Sequence, residues 1–115
     1  MSKNGSVDFN KFKIGTGLDD STLKELYQGF LEELLEEKEK LLSQFQNKEF
    51  GGLAKTVHNI KGITSSYMAE KAFAQSGELD LLLKKGIKED LEVSLNRLID
   101  EIIETAGDII DYYQL

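Results

Sequence analysis

The chain has 115 residues, of which 40% are hydrophobic and 30% charged, with a formal net charge of −7 and no cysteine or proline. That length suits a single domain, which buries roughly two-thirds of its unfolded surface without a disulfide or metal staple. The balance excludes a disordered chain, and the net negative charge argues against nucleic acid or an anionic membrane as partner.

Apolar runs are short, as in Leu81-Leu82-Leu83, far below the ~20 residues of a membrane span. The opening MSKNGSVDFNKFKIGTG lacks the hydrophobic core of a secretory signal. Absence of cysteine fits a reducing compartment, so the expected location is the cytoplasm. Absence of proline leaves long helices uninterrupted.

Residues 1–18 mix Gly, Ser, Asn and Lys without sustained periodicity. They are expected to form a mobile lead-in, with Val7, Phe9, Phe12 and Ile14 packing one edge of the fold. The main domain is expected over 19–115. Asp19, Asp20 and Ser21 supply helix-capping chemistry. Leu23, Leu26, Phe30, Leu34, Leu41 and Phe45 then recur at helical spacing between Glu-rich faces, which predicts one long amphipathic helix.

Asn47 is placed to cap a second helix from about Lys48 to Ser66, with Phe50, Leu53, Val57, Ile60, Thr64 and Tyr67 as its apolar line. A third helix is expected from about Ala69 to Lys85, carrying Phe73, Leu79, Leu82 and Leu83 and stopped by Gly86. The fourth begins near Lys88, and Leu91, Leu95, Leu98, Ile102, Ala106, Ile109 and Tyr113 hold its stripe. No segment alternates with period two for long enough to predict a strand. The expected fold is all-α, an antiparallel up-down four-helix bundle with a short N-terminal extension.

His58 is the single histidine. At about 100° per residue it lies roughly 130° from the centre of the line Leu53, Val57, Ile60 and Thr64, which turns it to solvent. Gly51, Ala54, Lys55, Gly62 and Ser65 share its face, and four of these five side chains are small. A surface helix has no packing reason to select them, and Gly62 inside a helix costs about 1 kcal/mol relative to Ala. A bare platform around a protruding imidazole suits close approach by another macromolecule.

Lys61, one turn on, and Lys55, one turn back, are the cations nearest in sequence, placed to pair with phosphate oxygens on a modified ring. From Lys48 to Lys71 four lysines face two glutamates, a local charge of 4 − 2 = +2. The first long helix is acidic by contrast, with Asp20, Glu25, Glu32, Glu33, Glu36, Glu37 and Glu39 against Lys24, Lys38 and Lys40. A basic face on an acidic protein fits an anionic group and an acidic partner pocket.

The run Val57-His58-Asn59-Ile60-Lys61-Gly62 resembles the signature of histidine-containing phosphotransfer domains: small or apolar, His, any, apolar, Lys, Gly. Glu70 also matches a common position of that family. The motif likeness spans about fifteen residues, and the predicted architecture extends it over most of the chain. The resemblance implies a four-helix bundle with His58 as phosphoacceptor, Lys61 as phosphate-stabilising cation and Gly62 as clearance for a receiver domain. It also implies response-regulator receivers as partners, with a hybrid histidine kinase upstream, and the outer ring nitrogen as the phosphorylated one. Ile63 and Met68 depart from the family pattern, which usually has a small residue at the first position and often glycine at the second.

Other chemistries fit poorly. A serine triad needs a buried His beside a carboxylate, and a bundle di-metal site needs Glu-x-x-His pairs, whereas position 55 is Lys and no second His exists. No nucleotide-binding loop appears, so no cofactor or metal is expected. The chain is expected to act as a monomeric carrier rather than an enzyme, with Mg²⁺ and the catalytic carboxylates on the partner. Two other readings stand beside this one: a helical adaptor that binds a receiver without accepting phosphate, and the phosphoacceptor module of a chemotaxis-type histidine kinase. Gly51 and Gly52 fit a loose first turn equally well, and Ser65 an ordinary helix-end serine.

Overall fold

The computed structural model describes residues 5–115, and its described part is helical without strands. Five helices follow in order: α1 (Phe9–Thr16), α2 (Asp20–Gln46), α3 (Phe50–Ser66), α4 (Glu70–Lys85) and α5 (Leu91–Tyr113). α2 packs on α3 and α5, and α4 packs on the same two, which closes a ring of four. The particle measures 43 × 21 × 21 Å.

The stripes read from the sequence form the core. Leu23, Phe30, Leu34 and Leu41 of α2, Leu53, Val57, Ile60 and Thr64 of α3, and Leu91, Leu95, Leu98, Ile102, Ala106 and Ile109 of α5 are all buried. α4 differs from expectation. Leu79 is buried as expected, but Phe73 is exposed, and Ala72, Ser76 and Asp80 face inward with Leu79. Small inward residues let the facing helices come close, and they leave α4 with a weak apolar period.

The largest correction concerns the lead-in. Residues 9–16 form a helix, so the described residues hold five helices rather than four behind a mobile lead-in, of which residues 1–4 lie outside the described part. Asp8 caps α1 by accepting from the Lys11 amide at 3.0 Å, and Gly17 ends it at φ +67°. Val7, Phe9 and Phe12 are buried as expected, whereas Ile14 is 74% exposed. Just over two turns with two inward residues are too short to show a period, which is why the segment read as irregular.

α1 closes one end of the bundle through aromatic rings. Fully buried Tyr27 meets Phe9 at 5.1 Å and Phe12 at 5.2 Å, edge to face, and lies 5.5 Å from Tyr113. Phe30 stacks on Tyr67 at 4.5 Å. The Tyr27 hydroxyl donates to the Tyr67 carbonyl at 2.8 Å, which satisfies it. Burial pushes that phenol well above its ordinary range. The Asp8 amide donates to the Met68 carbonyl at 3.0 Å, and the Ser6 amide to buried Asp108 at 2.8 Å.

Three helix ends close in the same way. The amides of Lys48, Met68 and Gly86 reach back three residues, and those of Glu49, Ala69 and Ile87 reach back five. The pivots have φ of +55°, +60° and +69°. This is the double-bonded left-handed closure in which glycine is usual, yet only one pivot is glycine. Asn47 therefore ends α2 instead of capping the next helix, and α3 starts at Phe50 behind Glu49, two residues after the expected start and ending at Ser66 as expected. α4 starts at Glu70 and α5 at Leu91, within three residues of the expected starts.

Phe12→Ala is expected to lower stability by about 3 kcal/mol or more, and Ile14→Ala by less than about 0.5 kcal/mol. Denaturant unfolding of the two variants checks this. Equal losses would mean that α1 does not pack as described.

Candidate functional site

α3 buries Leu53, Thr56, Val57, Ile60 and Thr64, and this fixes its rotation. His58 on the far side is exposed. Gly51, Gly62 and Ser65 are exposed with it, and Ala54 is half-buried. A Cβ added at Gly51 or Gly62 would meet nothing within 4 Å. Space inside the protein therefore does not require either glycine. Open hollows lie beside Phe9 and Tyr112 and beside Ser65 and Phe73, and neither includes His58. The imidazole stands on a convex helix face.

Lys61 lies at the flank of that face, half-buried against α4. Its Nζ is 3.6 Å from Asp80 Oδ2, and its stem passes Gly77, where a Cβ would sit 3.9 Å from Lys61 Cε. Lys84, one turn beyond Asp80 on α4, puts its own Nζ 2.8 Å from the same oxygen. The Asp80 side chain is only 5% exposed, while those of Lys61 and Lys84 are 36% and 62% exposed. A near-buried carboxylate thus holds two half-open ammonium groups at one edge of the platform.

The hydrogen bond from Lys84 holds the Asp80 carboxyl below its ordinary range against the opposing effect of burial. The ammonium charges of Lys84 and Lys61 act in the same direction. Lys61 is the link between the His58 face and Asp80, since it stands on α3 three residues after His58. The structure therefore brings His58, Lys61 and Gly62 together and adds Asp80 and Lys84. Lys55 is exposed and has no part in this cluster. Glu70 opens α4, where its Oε1 lies 3.9 Å from Lys11 of α1.

Asp80 and Lys84 were missed because they sit on another helix, and only their i, i+4 spacing was visible. The usable signal was an acid on α4 in phase with Ala72, Ser76 and Leu79, an inward position where an unpaired carboxylate is costly. Among the described residues no three His, Cys, Asp or Glu side chains converge as metal ligands. No helix among them is long and apolar enough to cross a membrane. No family model matches the chain, and no curated protein or solved structure matches it either.

Because its folded-state pKa is lowered, Asp80 contributes stability above the ordinary carboxylate range and loses it as pH falls through the lowered value. Asp80→Asn is expected to cost about 1–2 kcal/mol at pH 7, and the gap to the native protein should close below about pH 4. Melting curves across that range test the assignment. A gap that stays constant to low pH would place the effect outside the ion pairs.

Proposed function

We propose that the protein is a phosphoryl-group carrier of the histidine phosphotransfer type, working from an antiparallel four-helix bundle whose end is closed by α1. His58 accepts the group from a phosphoaspartate on a receiver domain. A ring nitrogen forms the new P–N bond as the acyl P–O bond breaks, and the receiver's carboxylate is regenerated. Passage to a second receiver is the reverse step. Positioning and charge neutralisation carry such a transfer, with the Mg²⁺ and acidic cluster on the partner and its ATP-using kinase upstream.

The observation that carries this reading is an exposed imidazole on a convex helix face, flanked by Lys61 and by a glycine beside open space. An internal packing demand does not explain Gly62, whereas a partner's approach does. The left-handed pivot at Met68, φ +60°, adds support, since it falls where the resembled family often has the residue best suited to that conformation. A cytoplasmic monomer meeting receiver domains fits the whole.

A second reading is an adaptor that docks a receiver without taking its phosphate. The ion pair of Lys61 with Asp80 favours it, because the cation assigned to phosphate already has a partner.

Incubation with phosphorylated receivers of the source genome separates the two. The carrier reading expects an acid-labile label that disappears in His58→Gln while fold and receiver binding persist. A label retained in His58→Gln refutes the assignment, and binding without any label supports the adaptor. Gly62→Gln should melt no lower than the native protein, since glycine is the weaker helix former. It should accept phosphate from a receiver more slowly by something on the order of 100-fold. Transfer at the native rate would remove the clearance argument.

A further inference from the structure

Asp80 Oδ2 takes ion pairs from two helices, with Lys61 of α3 at 3.6 Å and Lys84 of α4 at 2.8 Å. Lys61 is also the i, i+3 neighbour of His58, so it is within reach of an anion carried on that ring. A phosphoryl group brings roughly −1.5 to −2 of charge and three strong acceptors. A single ammonium group then faces two anions. One is a carboxylate that is 5% exposed and the other is a solvent-facing phosphoryl group.

We infer that Asp80 is a built-in competitor for the cation of the His58 site, so that the fold favours the unphosphorylated state. The inference rests on His58 being the phosphoacceptor. Phosphorylation draws Lys61 off Asp80 and leaves a near-buried carboxylate on Lys84 alone. Removing one partner of a buried charge is costly, because the remaining charge is desolvated without compensation. Linkage makes the effect reciprocal: whatever the phosphoryl group costs the fold, the fold costs the phosphoryl bond. Asp80 thereby keeps the group ready to leave, as a carrier requires, where an unopposed lysine would trap it.

The longer and looser of the two pairs is the one that breaks. Lys84 makes the shorter contact and dominates the lowered carboxyl, so it stays with Asp80 while Lys61 exchanges. Lys55, on α3 and exposed, is the remaining nearby cation and has no pair with Asp80 to lose.

The test compares melting temperatures of the whole chain before and after loading with phosphoramidate, which requires no partner. The imidazole lone pair displaces ammonia from the N-protonated donor, whose P–N bond breaks as the ring's P–N bond forms. Phosphorus NMR gives the loaded fraction. Loading should lower the native melting temperature by about 3–5 °C. Asp80→Asn should start lower, yet lose nothing further on loading. Lys84→Gln, at an exposed side chain, should show a larger drop than the native protein, while Lys85→Gln, the same charge change one residue on, should show the native drop. A merely structural Asp80 would change the starting temperature but not the shift.

Equal shifts in the native protein and Asp80→Asn, or a native melting temperature that rises on loading, would overturn the inference and leave the carrier reading intact. If Asp80→Asn does not fold, Lys84→Gln decides, and a drop no larger than that of Lys85→Gln overturns it. A His58 that takes phosphate from neither phosphoramidate nor any receiver overturns both.

Discussion

The rotation of α3 about its own axis is the constraint on which the rest of the site depends. A helix has one such angle, and burying Leu53, Val57, Ile60 and Thr64 sets it. With the stripe inward, His58 must face out and Lys61 must lie at the boundary, against whatever helix packs on that side. That helix is α4. Burial of a few aliphatic side chains thus decides where the imidazole and Lys61 stand, and neither group has to direct the packing itself.

α4 answers this geometry with small residues and one buried acid. Ala72, Ser76 and Gly77 provide the close approach, and Lys61 lies along the helix past Gly77. Asp80 turns that approach into an electrostatic device by collecting Lys61 and Lys84 on a single oxygen. Exposed ion pairs contribute little, but a carboxylate that is 5% exposed cannot relax into solvent when a partner leaves. Its low exposure makes the link between the two helices at this oxygen costly to break.

The opposite concern, holding four long helices in register, falls to the aromatic end. Phe9 and Phe12 of α1 reach Tyr27, and the Tyr27 hydroxyl reaches the closing turn of α3 at Tyr67. Met68 in that turn accepts from Asp8, so the segment before α1 and the end of α3 are tied directly. α1 steadies the C-terminal end of the helix that carries His58. Edge-to-face rings supply both area and direction there, which a run of leucines would not.

The sequence by itself determined the helical class, the stripes of α2, α3 and α5, the caps at Asp19 and Gly86, and the solvent-facing side of α3, because each follows from periodicity or from one residue's local chemistry. The exposure of His58 was legible for that reason. Three things were decided only in the tertiary structure. α1 is too short to show a period and forms because its two phenylalanines find Tyr27. The closures at Lys48 and Met68 put non-glycine residues at positive φ, which nothing local announces. The joining of Lys61 to Asp80 and Lys84 links residues 19 and 23 positions apart through the docking of α3 on α4. A contact of that kind depends on which helix becomes the neighbour, and helical periodicity shows which face is buried but not what it is buried against.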